Sequence, residues 1–598
     1  MNDPIQLSVL DHHFADFING IDDSPGRELW LAAALTSAAA SRGHACLDLA
    51  EGSGQGVLPF QPGERLLTPQ TEPWQQVLAA CSTVGQPGDY TPLVLDGAGR
   101  LYLHRSWNHE CLIAEGILAR SAAVTFDREL LQKGLDRYFP SGDGQTDWQR
   151  VAATAAVTRG FTVVSGGPGT GKTTTVARIL ALLIEQAGAR DLRIALTAPT
   201  GKAAMRLRQS ILQAIERLEL SDEVRERIPD DVQTIHRLLG VSGSTGFRHN
   251  RSHPLECDLL VVDEVSMVDL PLMARLLDAL PLSARVILLG DRDQLASVEA
   301  GAVLADICNH GRQVPFSEAF RSLLRDTGTP LPDAEPASGS AHAPLADAVV
   351  QLRTSYRFGD ASAIGTVSRL INAGEAGKAF DLLQSGSHAD LLWRQIPEGA
   401  AFEEAFAAAV TEGYAPYAAA TSPEAGLEQL ERFRVLSPYR EGLGGVRHLN
   451  RLAEHALGLR RPEGQTCSGL AVMVTGNSYE LGLFNGDTAV LMKAEDNDRM
   501  TAFFSDPHGG LRSLSPLRLP PWEPAFALTV HKSQGSEFDR VLLILPDRIS
   551  EALSRELLYT AVTRARSRIE IWGTEEALRF AVERRIVRNS GLRDRLWI

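Results

Sequence analysis

From about residue 126 onward, apolar residues fall in short β-branched runs that alternate with helix-length amphipathic stretches, the pattern of a parallel α/β sheet. A first set predicts strands at Phe161–Ser165, Arg193–Ala198, Asp258–Asp263 and Arg285–Gly290. Each ends at a polar or glycine-rich segment, as expected where ligands gather at the carboxyl edge of such a sheet. The stretch 325–344, rich in Pro, Ala, Ser, Asp and Gly, reads as an insertion or linker. Beyond it a second set predicts strands at Arg434–Ser437, Ala527–Val530, Val541–Leu545 and Arg568–Trp572. Two such domains in tandem leave a cleft between them.

Two regions break the pattern. Residues 476–525 carry short strand signals around the turn Asn485-Gly486-Asp487 and read as a small inserted β domain. Residues 1–125 predict a helix over Glu28–Ala40 and a hairpin in which Pro92–Leu95 and Arg100–Leu103 flank Asp96-Gly97-Ala98-Gly99. They read as a separate accessory module that docks on a partner or on the rest of the chain. The expected domains are therefore 1–125, then 126–345 with a small insertion near 241–257, then 346–475 with 526–598, interrupted by 476–525.

At 598 residues the chain is too long for one core. No run approaches the roughly 20 uninterrupted apolar residues of a membrane helix, and Met-Asn-Asp-Pro has no secretory character, so the cytoplasm is the expected location. Six scattered cysteines without a CxxC pair argue against a disulfide framework. His249, His253 and Cys257 lie close in sequence, but a structural zinc site needs a fourth ligand and none is apparent nearby. The net charge of −15 governs solubility more than the field inside one groove, so a basic channel for a polyanion stays compatible with it.

The chemistry begins at Gly166-Gly167-Pro168-Gly169-Thr170-Gly171-Lys172-Thr173-Thr174, between a predicted strand and a helix. Backbone N–H groups and a helix N-terminus in that order form a phosphate cradle; Lys172 reaches the β and γ phosphates and Thr173 ligates Mg²⁺. Asp263 and Glu264 close the apolar run Leu259–Val262, where Asp263 can hold the Mg²⁺ shell and Glu264 can polarise an attacking water; the alternative is a pair that merely opens a loop. Gln294, in Gly290-Asp291-Arg292-Asp293-Gln294-Leu295, is a candidate sensor between nucleotide and nucleic acid. Gln149 has an amide that can donate to and accept from an adenine edge, or is a plain polar neighbour of Trp148. Arg357 and Arg564 are guanidinium groups from the second set that can stabilise charge on a transferring phosphoryl group, making hydrolysis depend on domain closure.

Taken in order, Gln149, the GGPGTGKTT cradle, Ala198-Pro199-Thr200-Gly201-Lys202-Ala203-Ala204, Thr234-Ile235-His236-Arg237-Leu238-Leu239-Gly240, VVDEVSM, GDRDQL, SYR, LTVHKSQGSEFD and LYTAVTRAR resemble superfamily 1 DNA helicases of the RecD type over about 145–570. The N-terminal module resembles that of the RecD subunits of RecBCD helicase–nucleases. The resemblance implies two RecA-like P-loop domains, an SH3-like fold for 476–525, and a pin that splits the duplex in the segment with Phe247. It implies ATP and Mg²⁺ as cofactors, with Gly535 near the γ-phosphate and Glu537 near the ribose. Gln294, Arg357 and Arg564 would contact or sense the γ-phosphate. DNA contacts would come from Thr200, Lys202, Thr234, His236, Phe247 and His531; His236 reads equally well as a satisfied helix histidine.

The implied activity is 5′ to 3′ movement on single-stranded DNA within a complex that processes double-strand ends for recombinational repair and degrades linear foreign DNA. RecB-like and RecC-like subunits would complete a heterotrimer, and the nuclease would sit in a partner, since no nuclease constellation is apparent in this sequence. Two alternatives remain at this stage: a stand-alone RecD-like helicase, or a structural subunit whose ATP switch holds a complex together without translocation.

Overall fold

A computed structural model of the chain describes residues 4–597 apart from 59–64, 141–145, 243–245, 313, 332–342, 360–361, 460–461, 463–464, 479, 495–498, 507–509 and 547–548. Most of the expected 325–344 insertion therefore lies outside the described residues, although its first residues complete the helix Glu318–Asp326. Among the described residues no helix is long and apolar enough to cross a membrane.

Two all-parallel sheets dominate, and their strands are numbered β1 to β11 in chain order. The first holds β1 (Phe161–Gly166), β2 (Ile194–Ala198), β3 (Val232–Thr234), β4 (Leu259–Val262), β5 (Arg285–Gly290) and β6 (Val349–Leu352), in the order β3-β2-β4-β5-β1-β6. The second holds β7 (Leu391–Gln395), β8 (Phe433–Ser437), β9 (Ala527–Thr529), β10 (Phe538–Ile544) and β11 (Ala565–Gly573), in the order β7-β11-β10-β8-β9. β1 and β4 are buried along their whole length, which is why they read as continuous apolar runs. The edge strands β3, β6 and β7 escape the apolar pattern because only part of each faces a core. β6 also moves a boundary: residues 349–352, expected in the second domain, pair with β1 in the first sheet.

The inserted β domain starts earlier than its turn signal indicated. Leu470–Val474, expected in the second α/β domain, is fully buried and lies between Thr488–Lys493 and Trp522–Pro524 in a five-stranded antiparallel sheet completed by Met500–Ser505 and Leu511–Leu514. Near 241–257 the described residues form a two-stranded ribbon, Val241–Ser242 against Gly246–Phe247.

The N-terminal module has its own core around Leu29, Leu49, Trp74 and Leu101, and the predicted hairpin pairs Leu93–Leu95 with Arg100–Leu103. It is not a separate body, however. The helix His104–Leu118 buries Ile113, Ala114 and Ile117 in the apolar core of the first α/β domain against the helix Leu270–Asp278. The C-terminal segment returns from the second domain to the same junction. Arg588 donates to the carbonyls of Ser297, Glu299 and Gly301, the Asn589 N–H to His44 Nδ1, and Ser590 to buried Glu110.

Arg120 fixes the module to the first sheet. Its buried guanidinium donates to four carbonyls, those of Gly116, Leu280, Pro281 and Ala284, at 2.7–3.1 Å. Removing it leaves those acceptors without the donor that satisfies them. Arg120→Ala is expected to destabilise the first domain by about 3 kcal/mol, seen as a lower midpoint in thermal unfolding; an unchanged midpoint would show that the carbonyls find other donors.

Candidate functional site

The carboxyl ends of strands in the first sheet and the amino ends of β10 and β11 in the second face one cleft of about 550 Å³, lined by Pro168 to Thr174, Asp263, Glu264 and Gln294 from the first domain and Glu537, Arg564 and Arg566 from the second. The loop after β1 turns through Gly169 and Gly171, both at positive φ, and the helix Lys172–Ala187 starts directly behind them. Only glycine fits at 169: a Cβ there would stand 2.2 Å from the Arg357 Cβ. The loop is tied to the segment after β6, where the Tyr356 N–H donates to the Gly169 carbonyl at 2.8 Å. Lys172 Nζ donates to the carbonyls of Gly166 and Gly167. Gln149 donates to the Thr170 carbonyl and accepts from Arg178 at 3.3 Å, so its amide lies against the cradle.

At the tip of β4, Glu264 sits at φ 51, a left-handed conformation that a glutamate adopts only when its surroundings impose it. Its N–H donates to Asp263 Oδ1 at 2.9 Å, which turns the two carboxylates into the cleft together. Burial, and then the neighbouring Glu264 charge, push Asp263 up to about 7. Two carboxylates side by side, each disfavouring the other's charge, are a fitting seat for a cation that is not part of the fold. Gln294 donates to Asp291 at 3.3 Å, while its buried Oε1 has no hydrogen-bond partner among the described residues. Arg357 Nη1 is likewise buried and unpartnered. Both groups fit a polar, anionic ligand in the cleft.

Glu537 is the hub on the second side. It binds Arg357 at 2.7 Å, and Arg206 and Arg566 at 3.3 Å. Burial alone would raise its pKa, yet Arg206 and Arg357 hold it down at about 2. Arg564 donates to the carbonyls of Ser536 and Thr560, so it is braced wholly within the second domain. Gly535 packs against Ala203 of the facing domain. Glu537, expected near a ribose, is bonded here to guanidinium groups.

The residues expected on DNA are less uniform. Thr200 and Thr234 cap the helices Gly201–Arg217 and Ile235–Leu239 through Ala203 N and Arg237 N. The His236 ring lies 5.8 Å from Phe247, joining that helix to the ribbon. The Lys202 ammonium lies 5.9 Å above the Phe538 ring in the interdomain contact, where desolvation pushes it down to about 8. Burial, and then Arg588, lower the pKa of His531. Sequence reading missed Arg206, Arg178, Arg566 and Tyr559. Arg206 carried a signal, since it follows Lys202 by one helical turn on the same face.

A phosphate cradle at the edge of one parallel sheet, faced by arginines from a second, defines a two-domain P-loop NTPase of the superfamily 1 helicase class. Comparison with known proteins narrows this. Family models match residues 5–102 as "RecBCD enzyme subunit RecD, N-terminal domain", 149–300 as an AAA domain and 524–569 as a UvrD-like helicase C-terminal domain. The chain is 38% identical over 607 residues to the RecBCD enzyme subunit RecD of Mycolicibacterium smegmatis, covering 99% of this chain and 97% of that one. It is 34% identical over 440 residues to the ATP-dependent RecD2 DNA helicase of Deinococcus radiodurans, covering 73% of this chain and half of that one. Among solved structures, a Bacteroides Pif1 bound to single-stranded DNA aligns with 70% of this chain and 90% of its own at 19% identity, with a TM-score of 0.36. The chain belongs to the RecD family.

The Glu537 cluster yields a pH prediction. Because its folded pKa lies below the ordinary 4.5, the stability it contributes is complete above about pH 5 and is lost as pH falls from 4.5 towards 2. The difference in thermal midpoint between the unmodified chain and Glu537→Gln is therefore expected to stay constant from pH 8 to 5 and to shrink below; a difference that changes between pH 8 and 6 would show that another group governs the cluster.

Proposed function

We infer that this chain is the ATP-dependent DNA helicase subunit of a RecBCD-type complex and moves 5′ to 3′ along one strand. The observation that supports this most is that a single cleft holds the cradle with Asp263 and Glu264 on one wall and Arg357, Arg564 and Glu537 on the other, in a chain of the RecD family.

In this reading the N–H groups of Gly169 to Thr174 and the Lys172 ammonium bind the triphosphate, and Gln149 meets the adenine edge. Thr173 and Asp263 would hold Mg²⁺, which would neutralise negative charge on the phosphates. Glu264 orients the attacking water and accepts its proton. Arg357 and Arg564 stabilise charge on the γ-phosphoryl group, and Gln294 reports its presence to the DNA-facing segments. Because Arg564 belongs to the second domain, hydrolysis proceeds only with the cleft closed, and release of the γ-phosphate opens it. Repeated closure moves the domains along the strand, with Thr200, Thr234, His236, His531 and the Phe247 ribbon as the DNA-facing set. Lys202, packed on Phe538, is better placed to sense closure than to hold backbone phosphate.

Partner subunits related to RecB and RecC would supply the nuclease and receive the N-terminal module. On its helix Val9–Ile21, the apolar side chains Leu10, Phe17 and Ile21 are exposed by 67%, 62% and 49%, along one helical face. Phe17→Glu together with Leu10→Glu is expected to abolish co-purification with RecB- and RecC-type subunits while leaving ATP hydrolysis by the chain intact; retained association would place the partner surface elsewhere.

Lys172→Ala and Glu264→Gln are each expected to lower DNA-stimulated ATP hydrolysis at least about 100-fold with the fold retained. The unmodified chain, alone or with its partners, is expected to displace a strand from duplexes with a 5′ tail and not from those with a 3′ tail. Normal turnover in either variant, or displacement from the 3′ tail alone, would contradict the reading.

A further inference from the structure

The segment after β5, Asp291 to Leu295, carries Gln294 and is held from the second domain at three buried points. The Tyr559 hydroxyl donates to Asp291 Oδ2 at 2.9 Å, Thr560 Oγ1 accepts from the Leu295 N–H at 2.9 Å, and Gln534 Nε2 donates to the Leu295 carbonyl at 2.7 Å. Tyr559 differs from the other two in what else it meets. A Cβ placed on Gly167 would stand 2.9 Å from its hydroxyl, so the phenol abuts the backbone of the phosphate cradle itself. The side chain is 5% exposed, and Asn372 of the second domain faces the same hydroxyl.

The link from this hydroxyl to Arg564 is short and stiff. Tyr559 opens the last turn of the helix Arg555–Val562; its carbonyl accepts from the N–H and Oγ1 of Thr563, and the next carbonyl, that of Thr560, accepts from Arg564 Nε. Arg564 makes no direct bond to the first domain among the hydrogen bonds of the described residues. Its position over the cradle is therefore set by how the helix end is registered against Gly167 and Asp291. The phenol touches both.

We propose that Tyr559 is a positioning residue: its hydroxyl, bonded to Asp291 and seated on Gly167, sets the distance of Arg564 from the phosphate cradle and places the Asp291–Leu295 segment with Gln294 in the same movement. This rests on the reading of the cleft as an ATP-hydrolysing site. Opening the cleft would strip Asp291 of a donor in a buried setting, so the bond favours the closed state, and closure brings arginine and sensor into place together.

The test is steady-state ATP hydrolysis by the full chain with single-stranded DNA, comparing Tyr559→Phe, Asp291→Ala, the double variant and Asp291→Asn. Tyr559→Phe keeps the ring and its packing and removes only the hydroxyl. It is expected to lower kcat about tenfold with KM for ATP and the thermal midpoint nearly unchanged, because registration and not nucleotide binding is lost. Asp291→Asn, whose amide oxygen still accepts from the phenol, is expected to retain most of the turnover that Asp291→Ala loses. The double variant is expected to be no slower than the slower single one. Full turnover in Tyr559→Phe, a defect confined to KM, or losses that multiply in the double variant would each overturn the proposal while leaving the site assignment standing. Absence of DNA-stimulated hydrolysis in the unmodified chain would overturn both.

Discussion

Glu537, a buried carboxylate placed among arginines, is the contact on which the two-domain arrangement turns. Arg206 comes from the first domain, Arg357 from the crossing after β6, and Arg566 from the second domain. Without the carboxylate these guanidinium groups would face one another with no counter-charge between them, a repulsion that apolar contacts do not relieve. With it, the cleft has a closed form in which the cradle and the arginines stand together. The same cluster is poised for exchange: an anionic ligand in the cleft offers Arg357 and its neighbours a second partner.

What surrounds the cleft makes this closure consequential. β1, β4 and β5 are buried strands whose carboxyl ends deliver the cradle, the Asp263–Glu264 pair and the Asp291–Leu295 segment to one edge. The second sheet answers with β10 and β11 and the helix between them, which carry Glu537 and Arg564. The C-terminal segment then crosses to the N-terminal module, so the chain that leaves the second sheet is bonded to both other parts of the molecule.

Much of this was legible in sequence, for a physical reason. A strand buried on both faces must be apolar along its length, and a phosphate cradle must be glycine-rich, so β1 with Gly166–Thr174 and β4 with Asp263–Glu264 announce themselves. Edge strands do not: β6 pairs only with β1, and its half-exposed residues placed 349–352 in the wrong domain. The N-terminal module read as separate because the burial of Ile113 and Ile117 depends on a helix about 160 residues away in the chain. Within the site, side chains facing phosphate were expected at motif positions, whereas Tyr559 and Arg206 act through partners that only folding brings near. Lys202 and Glu537 are read by residue type, and spacing in sequence gives no sign of the neighbours that folding gives them, an aromatic ring and three arginines.

The central claim is that the cleft works only when the second domain completes it. The most direct measurement is the binding of a non-hydrolysable ATP analogue alongside DNA-stimulated hydrolysis in Arg564→Ala. The account predicts analogue affinity within a few-fold of the unmodified chain and hydrolysis reduced about 1,000-fold, since the cradle belongs wholly to the first domain and the arginine only to the second. Affinity lost in proportion to hydrolysis, or hydrolysis left intact, would contradict it.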